Sequence, residues 1–286
     1  MKLATFMHAG KESYGVVDGD QVIDLAPLAG AVGKTLKEAI AADKLGEIES
    51  WAKTAKGRIP LADITLLPPI TVPDKIICIG INYLSHVKET GREIPKYPMI
   101  FTRWANTQMG HGQTLVRPLV SEKLDFEGEL AVVISRTAHK VKQADAFDYV
   151  AGYSCYNDGT LRDWQRHTIQ FAPGKNFPAT GGFGPYLVTA DEVGDPSKLH
   201  LTTRLNGQVV QDAGIDDLIF TIPALIEYCS TFTVLEPGDV IITGTTGGVG
   251  AFREPPLWMK HGDVIEVEIS KIGILSNTVK DEDKLN

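Results

Sequence analysis

Hydrophobic and polar residues follow two different rhythms in the first quarter of the chain. Residues 1–25 have the pattern of short strands broken by glycine and aspartate turns, whereas apolar residues recur at helical spacing over residues 35–55. Prolines then cluster over residues 66–75, where they interrupt both helix and sheet. The pattern therefore predicts a small α+β N-terminal domain over residues 1–69 and a larger domain over residues 70–286.

Strand-like runs with turn signals dominate the larger domain. These runs are KIICIGI, ELAVVISR, VAGYSCYN, PYLVTA, LTTRLNGQVVQ, DVIITGT, DVIEVEIS and GILSNTV. Helical patterns are confined to segments near residues 82–91, 144–149, 158–167 and 218–231. Because strands do not alternate regularly with helices, the pattern indicates a β-rich α+β domain rather than a doubly wound parallel sheet.

One strand-like run, LDFEGELAVVI, carries two carboxylates at positions 127 and 129. Side chains alternate faces along a strand, so Glu127 and Glu129 project the same way, with Cα atoms about 6.5 to 7 Å apart. Like charges in this arrangement repel each other unless a positive group lies between them. Two interpretations remain open at this point: the pair lies on the exposed face of an edge strand, or it binds a metal or takes part in catalysis.

A third acid follows at the end of the next strand-like run. Asp158 closes VAGYSCYND, and a neighbouring strand can place its carboxylate beside Glu127 and Glu129. An all-oxygen set of ligands without a nearby cysteine or histidine pair suits a hard cation better than zinc. The three carboxylates therefore predict a site for Mg²⁺ or Mn²⁺, with Ca²⁺ as an alternative.

Composition excludes several classes of partner. The 286 residues carry a formal net charge of -8 and no sustained run of lysine and arginine, which argues against nucleic acid and anionic membrane and favours a small-molecule ligand. Cys78, Cys155 and Cys229 are odd in number and lie mostly in apolar or strand-like runs, as buried reduced thiols do. The chain has no run approaching the roughly 20 apolar residues of a membrane span, and its first residues lack a signal-peptide core. We therefore expect a cytoplasmic protein.

The order of several motifs resembles the fumarylacetoacetate hydrolase superfamily, especially its acylpyruvase and oxo-acid decarboxylase members. The motifs are DFEGELAVVI, VAGYSCYNDGTLRDWQ, GKNFPATGGFGPYLVTADEV, TGTTGGVG and PPLWMKHGDVIEVEISKIGILSNTV. The resemblance implies a catalytic domain with a mixed β-roll or β-sandwich-like core, a smaller N-terminal α+β domain and a homodimer. It also implies that Glu127, Glu129 and Asp158 hold the divalent cation.

The resemblance assigns roles to residues around the three carboxylates. Lys175, in GKNF, would stabilise negative charge that develops on a substrate oxygen. Four residues would surround the substrate: Arg103, Arg162, Gln165 and Thr245. Arginine suits a substrate carboxylate because it can donate two parallel hydrogen bonds. Without the resemblance, Lys175 would equally suit a solvated loop, and Arg162 with Asp163 could brace a helix.

A short polar segment, GINYLSHVKETG, supplies the remaining candidates. Asn82 can cap a short helix that Gly91 ends, and His86 and Glu89 then share one face of it. A His–Glu pair at this spacing is usually a surface ion pair, but relatives of the acylpyruvase type carry the same pair on a lid helix. We therefore expect a mobile lid from Asn82 to Gly91, in which Glu89 orients His86 as a general base.

The glycine-rich run GTTGGVG does not fit a nucleotide site. It lacks the Lys-Ser/Thr ending of a phosphate-binding loop, and AFREPP follows where a dinucleotide fold would begin a helix. The glycines instead allow tight turns or a close approach of the backbone to a ligand.

Together these assignments predict a metal-dependent hydrolase that cleaves a carbon–carbon bond in an acylpyruvate or a related 1,3-dicarbonyl acid, with His86 activating water. The alternative is a decarboxylase, hydratase or tautomerase of an oxo-acid in aromatic-compound catabolism, which needs the same metal-stabilised enolate. A non-catalytic, metal-stabilised binding protein is a third interpretation. His86, Glu89 and Lys175 argue against it, because binding alone requires no base.

Overall fold

Strands outnumber helices in the computed structural model, which describes residues 1–55 and 57–284. The strands are β1 (Lys2–His8), β2 (Lys11–Asp18), β3 (Gln21–Asp24), β4 (Ile59–Pro60), β5 (Thr65–Leu66), β6 (Ile76–Gly80), β7 (Met99–Arg103), β8 (Gln108–Met109), β9 (Leu115–Arg117), β10 (Leu124–Asp125), β11 (Gly128–Ile134), β12 (Val150–Asp158), β13 (Thr160–Leu161), β14 (Gly181–Thr189), β15 (His200–Leu205), β16 (Gln208–Gly214), β17 (Val240–Thr245), β18 (Val264–Ile269) and β19 (Gly273–Asp281). The α-helices are α1 (Ala29–Val32), α2 (Leu36–Ala41), α3 (Leu45–Ala52), α4 (Leu84–Thr90), α5 (Arg162–Gln165), α6 (Ala172–Lys175), α7 (Ala190–Val193) and α8 (Ile222–Phe232). Leu285 and Asn286, the last residues of the predicted larger domain, lie outside the described residues.

The described strands form a 12-stranded, a 5-stranded and a 2-stranded sheet, and the fold is α+β, as the sequence predicts. The large sheet has the order β4-β3-β2-β1-β14-β12-β11-β17-β6-β7, with β5 beside β1 and β8 beside β14. It is mixed, since β17 pairs with β6 in parallel and with β11 antiparallel. The small sheet has the order β16-β15-β18-β19-β9. Because β1 pairs with β14, the N-terminal strands extend the same large sheet, and the domain boundary at residue 69 stays a prediction.

Strand β11 lies inside the large sheet, between β12 and β17. Every residue of its sequence GELAVVI is buried. Its apolar side chains divide between two hydrophobic clusters, Leu130, Val132 and Ile134 in one and Ala131 and Val133 in the other. The interpretation of Glu127 and Glu129 as the exposed face of an edge strand is therefore wrong.

The strand-like runs of the larger domain are confirmed as strands, whereas several helices differ from their predicted bounds. Residues 35–55 form two helices, α2 and α3, because the chain turns between them at Asp43, whose φ is +55°. The segment near residues 158–167 is helical only over α5, and the segment near residues 144–149 is a 3-10 helix over Gln143–Tyr149.

Asn82 does not cap the lid helix α4, in contrast to the prediction. Its side-chain amide donates to the carbonyl oxygens of Thr243 (2.7 Å) and Phe220 (3.1 Å), and its Oδ1 accepts from the Phe220 N–H (2.7 Å). The N-cap position is Tyr83, and the predicted end at Gly91 is confirmed by its left-handed φ of +64°. Asn82 therefore ties the start of the lid to the neighbouring strand and loop.

Gly128, between the two glutamates, lies where the small sheet contacts the large one. The Gln211 side chain on β16 accepts from the Gly128 N–H (2.9 Å). A Cβ atom at this position would lie 2.1 Å from the hydroxyl oxygen of Thr203 on β15. Since Gln211 and Thr203 are both buried and cannot swing into solvent, only glycine allows the sheets to approach this closely.

The three cysteines are free and buried, as the sequence predicts. Among the described residues, no helix combines the length and the apolar character that crossing a membrane requires.

We expect Gly128→Ala to reduce the free energy of unfolding by about 1 to 3 kcal/mol, because an added methyl group overpacks the contact between the sheets. Urea denaturation measures the change. The control is Gly46→Ala on α3, where a Cβ would meet no atom within 4 Å; it should change stability by at most about 1 kcal/mol, in the stabilising direction. Equal stability of Gly128→Ala and the unmodified protein would contradict the close approach.

Candidate active site

The antiparallel pairing of β11 and β12 brings the three predicted carboxylates together. Gly128 is opposite Asn157, and the Asp158 N–H donates to the Glu127 carbonyl oxygen at 2.9 Å. One carboxylate oxygen from each of Glu127, Glu129 and Asp158 lies within 4.8 Å of the others, and all three residues are buried. The cluster therefore arises from strand register.

Three buried cations neutralise part of this cluster. Lys175, at the end of α6, donates to Glu127 and to Asp158, both at 2.6 Å. Arg162 binds the other Glu127 oxygen at 2.7 Å, and Arg103 binds the other Asp158 oxygen at 2.6 Å. Glu129 instead accepts a hydrogen bond from the Gly244 N–H at 2.6 Å.

Asp125 is a fourth buried carboxylate and is not among the sequence-predicted site residues. It accepts from Arg162 Nε at 2.7 Å and from the backbone N–H groups of Gly250 (2.7 Å) and Ala251 (2.9 Å). It therefore holds the Arg162 guanidinium and the turn after β17 in one place. The signal was present in the sequence, because Asp125 precedes Glu127 by the same two-residue step that separates the glutamates.

The pKa shifts follow from this unequal pairing. Burial raises the pKa of Glu129 well above its usual value, and the charges of Asp158 and Glu127 add to the shift. Burial by itself would raise the pKa of Glu127, but the charges of Lys175 and Arg162 bring it down to about 2. Burial disfavours the Lys175 ammonium, yet the carboxylates of Asp158 and Glu127 raise its pKa above the usual value.

The donor set fits a divalent cation. The cluster contains four carboxylates when Asp125 is counted with Glu127, Glu129 and Asp158, and it contains three cations. When all these groups are ionised, one negative charge therefore remains in excess. A divalent cation would reverse this excess and would favour the ionised form of Glu129. Carboxylate oxygens are the ligands that Mg²⁺, Mn²⁺ and Ca²⁺ prefer.

Glu127 and Glu129 line a cleft that is open to solvent, whereas Asp158 and Asp125 are completely buried and do not line it. Its lining includes seven of the predicted site residues: His86, Glu127, Glu129, Arg162, Gln165, Lys175 and Thr245. Six further residues also line the cleft: Thr90, Arg92, Phe101, Arg166, Phe171 and Phe252.

Arg103 occupies a different place from the one predicted beside a substrate. Its guanidinium is completely buried and donates to Asp158, to the Gly159 carbonyl oxygen (3.1 Å) and to the Thr180 hydroxyl (2.7 Å). It does not line the cleft. The structure therefore gives Arg103 the role of orienting Asp158 from outside the cavity.

Two cations on the cleft wall keep unused donors. An ammonium has three N–H donors, and Lys175 uses two of them on Glu127 and Asp158. The Nη2 atom of Arg162 is buried and has no hydrogen-bond partner among the described residues. A buried guanidinium nitrogen without a partner is costly, so these groups suit a negatively charged ligand.

Thr245 and Gln165 line the cleft but already have partners. The Thr245 hydroxyl donates to the Gly128 carbonyl oxygen (3.0 Å) and accepts from Gln211 (2.8 Å). The Gln165 side-chain oxygen accepts from Arg162 at 3.1 Å. Both residues shape the wall, and their contact with a substrate stays a prediction.

The lid helix α4 places His86 on the cleft. His86 Nδ1 lies 3.1 Å from a carboxylate oxygen of Glu89, whose other oxygen accepts from the Gly248 N–H at 2.8 Å. A carboxylate can only accept, so Nδ1 carries the proton in this contact and Nε2 is left as a base. In the glycine-rich run, the amides of residues 244, 248 and 250 donate to Glu129, Glu89 and Asp125, respectively. The mobility expected of the lid stays a prediction.

Two family models match the chain. Residues 75–280 match the family model described as Fumarylacetoacetate (FAA) hydrolase C-terminal, and residues 1–69 match the model described as Rv2993c-like, N-terminal. The chain belongs to the fumarylacetoacetate hydrolase family. The family resemblance expected from the motifs is thus confirmed, and the chain is an enzyme of this family.

Three individual members of the comparison show which proteins the chain resembles. The chain is 38% identical over 276 residues to the mitochondrial oxaloacetate tautomerase FAHD2A of Bos taurus, covering 95% of this chain and 87% of the relative. The structure of a fumarylacetoacetate hydrolase from psychrophilic Exiguobacterium antarcticum matches with a TM-score of 0.88 and 33% identity, over 99% of this chain and 100% of that one. The maleylpyruvate hydrolase of Sphingobium sp. SYK-6, in complex with manganese(II) and pyruvate, matches with a TM-score of 0.82 and 30% identity, over 98% and 99%.

These relatives leave some expectations open. The bovine relative is named as mitochondrial, so the cytoplasmic location stays a prediction. The homodimer and the absence of nucleic-acid and membrane partners also stay predictions.

We expect Glu129→Gln to bind Mn²⁺ more weakly, because the amide keeps the shape of the side chain but removes a negative ligand. Since loss of an outer-sphere partner already costs about 10- to 100-fold in metal affinity, the loss here should be at least about tenfold. Isothermal titration with Mn²⁺ measures it. The control is Glu266→Gln, because Glu266 is a partly exposed glutamate on β18. Equal affinities of the two variants for Mn²⁺ would show that Glu129 is not a ligand.

Proposed function

We propose that this enzyme is a metal-dependent tautomerase that interconverts the keto and enol forms of a short 2-oxo dicarboxylic acid such as oxaloacetate. The observation that carries the proposal is the position of His86, which lines the same cleft as Glu127 and Glu129 and is held by Glu89. The 38% sequence identity with a bovine oxaloacetate tautomerase supports tautomerisation over the carbon–carbon hydrolysis that the sequence first favoured.

Glu127, Glu129 and Asp158 would hold the cation. A divalent cation bound there would act as a Lewis acid on the substrate carbonyl. The manganese in the related maleylpyruvate hydrolase supports Mn²⁺, and Mg²⁺ and Ca²⁺ remain alternatives of the same ligand chemistry.

The residues of the chain account for the proton movement. Tautomerisation takes a proton from C3 of the oxo-acid and adds one to the oxygen on C2. His86 accepts the C3 proton at Nε2, and the electron pair of the broken C–H bond forms the C2–C3 double bond. Negative charge develops on the C2 oxygen, where the unused N–H of Lys175 stabilises it. A proton from bulk water then neutralises that oxygen, and the proton on His86 Nε2 returns to bulk water, which regenerates the base. No water attacks the substrate, and no carbon–carbon bond breaks.

Arg162 is placed to bind the carboxylate next to the reacting carbonyl. Its Nη2 atom has no partner among the described residues, and its other nitrogens are fixed by Asp125, Glu127 and Gln165. A guanidinium that is already oriented loses little conformational freedom when it binds a carboxylate. Arg162 would therefore set the direction in which C3 points.

Hydrolysis of an acylpyruvate is the second candidate, because the same His86–Glu89 pair could activate water. The similarity to a maleylpyruvate hydrolase supports it. The two reactions differ in product: hydrolysis releases pyruvate from the acylpyruvate, whereas tautomerisation of oxaloacetate leaves the carbon skeleton intact.

One preparation loaded with Mn²⁺ distinguishes these functions. The enol absorbance of oxaloacetate reports tautomerisation, and pyruvate release reports decarboxylation of oxaloacetate or hydrolysis of acetylpyruvate. We expect kcat/KM to be highest for tautomerisation. A buffer-level rate of tautomerisation together with rapid cleavage of acetylpyruvate would contradict the proposal and establish the hydrolase.

His86→Ala should reduce kcat for tautomerisation by about 10²- to 10⁴-fold, the usual contribution of a positioned general base. The affinity of the His86→Ala variant for Mn²⁺ should not change, because the hydrogen-bond partner of His86 is Glu89 and not a residue of the carboxylate cluster. The control is His139→Ala, an exposed histidine, which should keep full activity. Full activity of His86→Ala would remove His86 as the base.

A further inference from the structure

The cleft holds two arginines that the catalytic roles do not use. Arg92 follows the end of the lid helix by two residues, and Arg166 follows α5 directly. Both line the same cleft as His86 and Lys175, and both are exposed to solvent. They come from segments more than 70 positions apart in the chain, so the fold alone brings them to one opening.

Charge pairing separates these arginines from the other cations of the wall. Arg162 and Lys175 are bound to the carboxylates of the cluster. The side chains of Arg92 and Arg166 form no ion pair or hydrogen bond with the described residues. They are therefore the cations of the cleft that remain available to a second negative group.

The position of Arg166 also suits a role in ligand binding, because Arg166 lies next to the same aromatic ring as His86. Arg166 lies over the ring of Phe252, with 5.9 Å between the guanidinium carbon and the ring centroid. The same ring meets the His86 imidazole edge to face, with 6.1 Å between centroids. The Phe252 ring thus lies next to both the buried His86 and the exposed Arg166.

The substrate carbon that His86 deprotonates fixes where the rest of the substrate must lie. In a four-carbon oxo-diacid, C3 lies at the base, and the distal carboxylate is attached directly to C3. The carboxylate cluster and Arg162 take up the other end of the molecule at the floor of the cleft. The distal carboxylate therefore extends toward the mouth, where Arg92 and Arg166 lie.

We propose that Arg92 and Arg166 bind the distal carboxylate of the substrate and select 2-oxo acids that carry a second negative charge. This inference rests on the proposed function, because it takes C3 as the carbon next to His86. A neutral acyl group would gain nothing from the two arginines and would leave both without a partner. The positive mouth also draws dianions toward the cleft in preference to monoanions.

A comparison of oxaloacetate with its 4-methyl ester tests the selection, since the ester keeps the reacting atoms and masks the distal charge. In the R92Q/R166Q double variant, kcat/KM for oxaloacetate should fall by at least about tenfold, as expected for loss of charge-assisted hydrogen bonds. The value for the ester should stay within about threefold of that of the unmodified enzyme, because the remaining contacts are the same. The control is Lys88→Gln, which removes one exposed positive charge from α4 outside the cleft lining and should leave both substrates unaffected.

Two kinetic outcomes would overturn the inference. An equal loss on oxaloacetate and ester would mean that the arginines only support the fold around Phe252 and His86. No loss on oxaloacetate would mean that the distal carboxylate binds elsewhere.

Binding without turnover separates this inference from the proposed function. The dianion 3,3-dimethyloxaloacetate has no proton on C3 and cannot enolise, but a divalent cation can promote loss of its distal carboxylate as CO₂. Its affinity for the Mn²⁺-loaded protein is therefore measured over an interval in which no 3-methyl-2-oxobutanoate forms, and it is compared with that of its 4-methyl ester. Weaker binding of the dianion alone by R92Q/R166Q would support the inference even if the unmodified protein fails to tautomerise oxaloacetate. Equal weakening of both compounds, or of neither, would overturn it.

Discussion

The structure depends on burying four carboxylates within one small region of the protein interior. Transfer of an ionised carboxylate from water into such surroundings is very unfavourable unless opposite charges and hydrogen bonds replace its hydration. Here Arg103, Arg162 and Lys175 supply the opposite charges, and backbone amides at the end of β17 and in the turn after it supply much of the remaining hydrogen bonding. Glu129 is left with the least compensation, which is the electrostatic condition that a divalent cation relieves.

The same segment connects the cluster to the lid. Gly244 donates to Glu129, Gly248 donates to Glu89, and Gly250 donates to Asp125. The backbone therefore fixes Glu129, Glu89 and Asp125 relative to one another. Glycine is required at Gly248, whose φ is +103° and whose Cβ would lie 2.1 Å from the Val210 carbonyl oxygen. Hydrogen bonds of this kind hold the three carboxylates in a fixed arrangement before any ligand binds.

The sequence predicted what depends on local periodicity. Glu127 and Glu129 are two residues apart, and Asp158 lies at the end of a strand-like run. These two features were sufficient to predict that the three carboxylates lie together. Contacts between distant segments were not predictable in this way. Arg103 was placed beside a substrate, yet it orients Asp158 from outside the cleft, because that contact depends on how β7 and β12 lie in the sheet.

Some helix ends and the residues at the cleft mouth were also not predicted from the sequence. A single helix over residues 35–55 satisfied the apolar spacing, but the turn at Asp43 is a backbone feature that apolar spacing does not encode. Asn82 suited an N-cap by residue type, and its tertiary partners Thr243 and Phe220 compete successfully for its side chain. Arg92 and Arg166 had no sequence signal, because only the folded chain brings them to the same cleft as His86 and Lys175.

The central claim is that the buried carboxylate cluster is a metal site that supports enolisation of an oxo-acid. The most direct measurement is the rate at which the protein consumes the enol of oxaloacetate after treatment with a chelator and again after Mn²⁺ is restored. The account predicts that chelation reduces the rate to that of buffer and that Mn²⁺ restores it, with the fold unchanged by circular dichroism. A rate that chelation leaves unchanged would contradict it.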